Sequence, residues 1–268
     1  MAQVHVLKPL NYLGASAALA VLLTLSTTIA AETVSIAVAA NFAAPMARII
    51  EAFEAGSEHQ VQLSLGSSGK LYAQISHGAP FEVFFSADQL VPSKLAQAGL
   101  ALTATQFTYA VGQLVLWSAA EDFVDDKGQV LRLASFDKLA IANPRLAPYG
   151  AAAVEVLEAL DRFEEVKARL IMGENIAQTY HFVSTGNADL GFVAASQVMR
   201  DGKLTAGSGW LVPQSLYTPI YQDAILLKTG ADNPAARAFI DFVKTPEARR
   251  IMAAYAYVQQ VDLTRSVD

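Results

Sequence analysis

The chain has 268 residues, no cysteine, 25 acidic against 19 basic side chains and a formal net charge of −6. The lack of thiols excludes disulfides, thiol catalysis, thiolate metal sites and a lipid-modified cysteine anchor. An acidic balance without a basic run argues against nucleic acid or an anionic membrane as partner.

At the N-terminus, Lys8 precedes an apolar stretch over residues 13–25 (LGASAALAVLLTL), and Thr28-Ile29-Ala30 supplies small residues ahead of a cleavage point. This pattern predicts a secretory signal peptide over residues 1–31, too short and too poorly flanked for a stable membrane span. Lys8 is the only charged residue of that leader, so 18 basic and 25 acidic side chains remain, a balance of −7. The expected product is a soluble periplasmic protein, and no later segment reaches the apolar length of a membrane span.

Residues 33–40 (TVSIAVAA) form a β-rich run, followed by Asn41 and a helical pattern over 43–55. Residues 60–65 alternate polar and apolar as a half-buried strand does, then pass through Gly66-Ser67-Ser68-Gly69 into a helix over 70–76. A third strand is expected at 82–85, with Ser86 as the cap of a further helix. Strand, polar loop and helix, repeated, predict βαβ units and a mostly parallel sheet. The alternation then changes to one long extended run over 108–117. Beyond it come a polar loop (121–129), a strand (139–142), a long helix (151–160), a helix over 175–182 and a buried strand (190–194). A second extended run spans 216–227, and helices over 234–242 and 246–254 close the chain.

Two long extended segments bracketing a middle αβ block predict an α/β fold of two lobes. Each lobe is a mostly parallel sheet flanked by helices, and two crossing strands serve as hinge. The expected division is 32–110 with 225–268 for lobe I, and 111–224 for lobe II. Such a molecule takes its ligand in the cleft between lobes.

Gly66-Ser67-Ser68-Gly69-Lys70 looks like a phosphate-binding loop, but position counting removes that reading. The G-x-x-x-x-G-K-[ST] pattern needs glycine where Ser64 stands and a hydroxyl where Leu71 stands. What survives is a turn that exposes backbone N–H groups at the positive end of a helix, with serine hydroxyls beside them. The stretch alone supports either a helix cap or a small-oxyanion site. Asn41, Tyr149-Gly150 and Asn175-Ile176 sit at comparable helix starts, two helix starts in each expected lobe.

The motifs at these loops give a closer identification. Ala39-Ala40-Asn41-Phe42, Gly66-Ser67-Ser68-Gly69 with Gln74-Ile75, and Gly78-Ala79-Pro80-Phe81-Glu82-Val83-Phe84-Phe85-Ser86-Ala87-Asp88 lie in the first half. Leu139-Ala140-Ile141-Ala142-Asn143-Pro144 with Pro148-Tyr149-Gly150, and Gly186-Asn187-Ala188-Asp189-Leu190-Gly191, follow. Together they resemble the periplasmic molybdate-binding proteins of ABC transporters, which have the type II periplasmic-binding-protein fold. The likeness runs over nearly the whole chain after the leader.

The resemblance implies a tetrahedral dianion, molybdate or tungstate, held by neutral donors. By position these are Asn41 and Ser68 from lobe I and Tyr149 and Ile176 from lobe II, Ile176 through its backbone N–H. Phe42, Ser67 and Ala194 are secondary candidates, and the Tyr149 phenol is a candidate extra donor. Ala194 stands where some members carry a ligand-binding tyrosine, and Glu82 stands where aspartate is usual. Lys70 is expected to be solvated on its helix face, and Glu174 to be a first-turn helix charge; a carboxylate metal site at Glu174 is the alternative. The resemblance further implies no enzyme activity, no cofactor, a monomer, and an ABC transporter permease as partner. The alternatives are another oxyanion such as sulfate or phosphate, or an organic acid, and a secreted hydrolase. The hydrolase reading lacks a G-x-S-x-G motif, and no histidine lies in a recognisable catalytic pattern.

Overall fold

The computed structural model describes residues 1–3, 5 and 31–258. The predicted signal peptide falls almost wholly outside the described residues. The chain divides into Met1–Ala30 and Ala31–Asp268, and the fold described below belongs to the second unit.

That unit begins with strand β1 (Thr33–Ala39), a 3-10 turn at Ala40–Phe42 and helix α1 (Ala43–Ala55). Next come β2 (Gln60–Gly66), α2 (Ser68–Ser76), β3 (Val83–Phe85), α3 (Leu90–Gln97) and β4 (Phe107–Gly112). The middle of the chain supplies β5 (Leu114–Ser118), α4 (Gln129–Leu133), β6 (Leu139–Ala142), α5 (Pro148–Ala159) and α6 (Phe163–Val166). It continues with β7 (Leu170–Gly173), α7 (Ile176–Ser184), β8 (Leu190–Ala194) and α8 (Ala195–Val198). Short strands β9 (Met199–Arg200), β10 (Lys203–Leu204) and β11 (Ser208–Leu211) lead to β12 (Ile220–Leu226), α9 (Pro234–Val243) and α10 (Pro246–Ala254).

Two five-stranded sheets result, in the orders β2-β1-β3-β12-β4 and β11-β5-β8-β6-β7. In the first, β1 pairs in parallel with β2 and β3, while β12 runs antiparallel to β3 and β4. In the second, β6 pairs in parallel with β7 and β8, and β5 runs antiparallel to β8 and β11. Each sheet therefore holds four strands in one direction and one reversed. The reversed strands, β12 and β5, are those by which the chain enters a new sheet.

The cores follow from strand alternation. Val34, Ile36 and Val38 of β1 pack with Phe42, Met46 and Phe239 on one face, while Ala37 packs with Leu71, Phe84 and Leu95 on the other. In the second sheet Leu114, Leu116 and Phe192 face Tyr149, Ala153 and Val156, and Val115, Trp117 and Val193 face Val183 and Val198. Helices on both faces leave these central strands wholly buried, as parallel pairing requires.

Three expectations change. The run over 108–117 is two strands in different sheets, separated at Gln113. Ser86 does not cap a helix: its Oγ accepts from Asp88 N–H, and Asp88 Oδ1 accepts from Val91 N–H, so α3 starts only at Leu90. The helix expected from 151 begins at Pro148, whose fixed φ suits the first helical position. Glu82, in place of the usual aspartate, serves packing: its carboxylate accepts from Ser35 N–H and from the Asn233 amide.

Candidate functional site

The carboxyl ends of β1, β2, β6 and β7 converge on one small cavity of about 10 Å³ between the sheets. Drug-sized ligands need clefts of roughly 300–1,000 Å³, so the space is far too small for one. Asn41, Ser67, Ser68, Tyr149, Asn175 and Ile176 line it with small apolar residues, and no charged side chain does. The four primary candidates, from three loops and one turn far apart in sequence, are thus brought together, with Ser67 beside them.

Local capping decides which N–H groups remain for a ligand, because the first turn of a helix leaves its donors without internal partners. At α2, Ser67 Oγ accepts from Lys70 N–H, and Gly69 N–H donates to Leu146 O at 3.0 Å across the cleft. Ser68 Oγ accepts from Ala87 N–H at 2.9 Å, which leaves its own hydroxyl hydrogen to donate. At α5, Pro148 has no N–H, and Gly150 and Ala151 donate back to Ala147 O. The N–H of Tyr149 lies between them. At α7, Asn175 Oδ1 accepts from Ala177 and Gln178 N–H, so Ile176, the first helical residue, keeps its N–H outside the capping set. Each helix has at least eight residues, and their aligned peptide dipoles place positive potential at these starts.

Behind the cavity lies a buried polar network that changes two expectations. Both hydrogens of the Asn41 amide are taken: Nδ2 donates to Gln222 Oε1 and to Tyr257 Oη, each at 2.8 Å. Asn41 therefore has no side-chain N–H left for the cavity it lines at the 3-10 turn. The Tyr149 phenol oxygen lies against Gly112 and accepts from Gln222 Nε2 at 3.1 Å, and neither of these residues lines the cavity. Tyr109 Oη donates to Gln222 Oε1 at 2.9 Å, and Ser196 Oγ donates to Asn41 O at 2.7 Å. Burial pushes the Tyr109 and Tyr149 phenols well above their ordinary range and Tyr257 up to about 12, so the network is neutral.

Two secondary candidates are elsewhere. Phe42, a candidate through its main-chain N–H, is not among the lining residues, and its ring is core, edge-on to Tyr109 and Tyr257. Ala194 is wholly buried at the end of β8, pairs with Leu114 and donates its N–H to Gln197 Oε1, away from the cavity lining. Lys70 is not simply solvated: its Nζ meets Glu174 Oε1 of the other lobe at 2.5 Å, with both side chains half exposed. Among the described residues no group of three or more His, Asp or Glu side chains is arranged to hold a metal.

Gln222, Tyr109, Ser196 and Tyr257 escaped the sequence reading. One signal was present: Gln222-Asp223 interrupts an otherwise apolar strand, and a buried amide there demands partners.

Neutral, inward-pointing donors without a countercharge fit a small, fully deprotonated oxyanion. Known proteins agree with this chemistry. The chain is 55% identical over 227 residues to the molybdate-binding protein ModA of Azotobacter vinelandii, covering 85% of this chain and 90% of that protein. It is 50% identical over 252 residues to ModA of Rhodobacter capsulatus, covering 94% and 98%. The structure of the periplasmic molybdate-binding protein of Azotobacter vinelandii superposes with a TM-score of 0.82 at 40% identity, covering 84% of this chain and 99% of that one. Matched over residues 34–258 by the model of the bacterial extracellular solute-binding proteins, the chain belongs to that family of binding proteins.

Proposed function

We propose that the chain captures molybdate, and tungstate with it, between its two lobes for delivery to an ABC transporter permease. The carrying observation is the cavity at four helix or turn starts, lined by neutral groups alone. The ligand set is the Ser68 hydroxyl with backbone N–H groups at Asn41, Ser68, Tyr149 and Ile176. Each donor to a charged oxygen contributes about 1.5–3 kcal/mol, and the lack of a countercharge keeps capture reversible. The two close relatives named for molybdate support the choice of anion.

The dianion binds first to one lobe, and closure completes its shell with donors from the other. Lobe I is taken as 32–110 with 225–268 and lobe II as 111–224. The pivots then lie near β4–β5 and β12, where the chain passes between sheets. A leader over residues 1–31 directs the protein to the periplasm, where it works as a monomer with no cofactor.

A calorimetric titration of the mature protein with molybdate, tungstate, sulfate and phosphate tests this reading. Tight stoichiometric binding of the first two is expected. Monohydrogen phosphate carries a proton that needs an acceptor, and no carboxylate lines the cavity to take it. Tight binding of phosphate with no response to molybdate or tungstate refutes the assignment.

A further inference from the structure

Gln222 does not itself line the cavity, yet its amide bonds to the side chains of two residues that do, one from each lobe. Oε1 accepts from Asn41 of lobe I, and Nε2 donates to the Tyr149 phenol of lobe II. Each of those residues lines the cavity and bonds its side chain to Gln222. The register of β12 on β4 shifts between Gln222 and Asp223, the kind of local irregularity that re-aims a side chain. Gln222 is wholly buried, so an unpaired Nε2 in the shut molecule is costly.

The last residue of β4 completes the arrangement. A Cβ on Gly112 would stand 2.1 Å from Tyr149 Oη, 2.5 Å from Gln222 Nε2 and 2.9 Å from Tyr149 Cζ. The missing side chain is the space into which the phenol fits, at the point where the chain leaves the first sheet for the second.

We propose that Gly112 and Gln222, at the β4 and β12 strands of the first sheet, form a socket that seats the Tyr149 phenol when the cleft shuts, making Gln222 a positioning residue for anion retention. The socket fixes α5 against the first sheet and so fixes where the Tyr149 N–H meets the ligand. This inference rests on the oxyanion-capture reading and concerns the same site. It predicts that damage to the socket shortens the life of the closed complex and leaves the first encounter with the open lobes alone.

The test uses the full mature chain with molybdate as probe, measuring association and dissociation rates by stopped-flow tryptophan fluorescence and the melting temperature of the ligand-free protein. Gly112→Ala is expected to raise the dissociation rate about tenfold or more with association changed less than about threefold, since such effects concentrate in the off-rate. Tyr149→Phe keeps the backbone N–H and removes the seated oxygen. It is expected to raise the dissociation rate several-fold at an unchanged ligand-free melting temperature. Adding Tyr149→Phe to Gly112→Ala removes the closest clash and is expected to restore part of the lost residence time.

Wild-type dissociation rates in both single variants overturn the socket while molybdate capture stands. A wild-type protein that ignores molybdate and tungstate overturns the functional reading itself. If Gly112→Ala fails to fold, Tyr149→Phe alone decides: an unchanged off-rate refutes the socket, and a faster one at unchanged melting temperature supports it.

Discussion

Lys70 Nζ of α2 and Glu174 Oε1, just ahead of α7, meet at 2.5 Å, joining the two lobes next to the cavity-lining residues Ser68 and Asn175. Half exposure of both side chains limits what the pair contributes, to about 0.2–1 kcal/mol, because water and salt screen it. Glu174→Gln is therefore expected to weaken molybdate binding by no more than about fivefold at low salt. The difference should vanish as ionic strength rises past physiological values. Calorimetry at several salt concentrations checks this, and a loss of a hundredfold that salt leaves untouched contradicts it.

Ser67 and Ser68 are adjacent, and the structure separates their tasks. Ser67 Oγ caps α2, whereas Ser68 Oγ accepts from Ala87 N–H and donates to the ligand in the proposed site. Ser68→Ala removes a donor to a charged oxygen, so affinity should fall about ten- to a hundredfold. Ser67→Ala loses a cap, so the ligand-free protein should lose about 1 kcal/mol of stability with a smaller change in affinity. Parallel calorimetry and urea unfolding distinguish the two. Equal affinity losses in both variants contradict the division of labour.

Much of this site was legible because helix starts write themselves into sequence. Ser67, Pro148 and Asn175 are residues with strong preferences for the beginning of a helix, and periodicity supplied the strands that lead to them. Side-chain direction was not legible. Asn41 and Tyr149 line the cavity, but their polar groups bond to Gln222, a partner 181 and 73 residues away in the chain. Local pattern carries no record of such long-range pairing. The split of the run over 108–117 was missed for a related reason: both strands are wholly or largely buried, and only the tertiary crossing at Gln113 distinguishes them. The strands between residues 199 and 211 are two to four residues long, below what periodicity resolves.

Gly69 gives a sharper test of closure. Its N–H donates to Leu146 O, and a Cβ there would come within 3.1 Å of Leu146 Cα and 3.3 Å of its carbonyl oxygen. Alanine also suits a helix better than glycine by about 0.8–1 kcal/mol. Gly69→Ala should therefore keep or raise the melting temperature of the ligand-free protein while lowering molybdate affinity, a stability gain opposed to a binding loss. Differential scanning calorimetry with and without molybdate reads both, and tighter binding in the variant contradicts the proposed approach of the lobes.

The buried phenols set the alkaline limit of the fold. Burial raises Tyr109 and Tyr149 well above the ordinary phenol value of 10, and Tyr257 to about 12. Between those values the unfolded chain gives up phenol protons that the folded chain retains. The folded state then binds more protons, and stability must fall as pH rises. Below about pH 9 both states hold neutral phenols and their contribution is constant. Each such group steepens the loss by at most about 1.4 kcal/mol per pH unit. Urea midpoints should thus stay level from these groups up to about pH 9 and drop between 10 and 12. Tyr257→Phe, though less stable overall for want of its bonds to Asn41 and Ser196, should show a shallower drop. A slope as steep as that of the wild type would mean that Tyr257 ionises alike in both states, against its burial among Asn41, Tyr149 and Gln222.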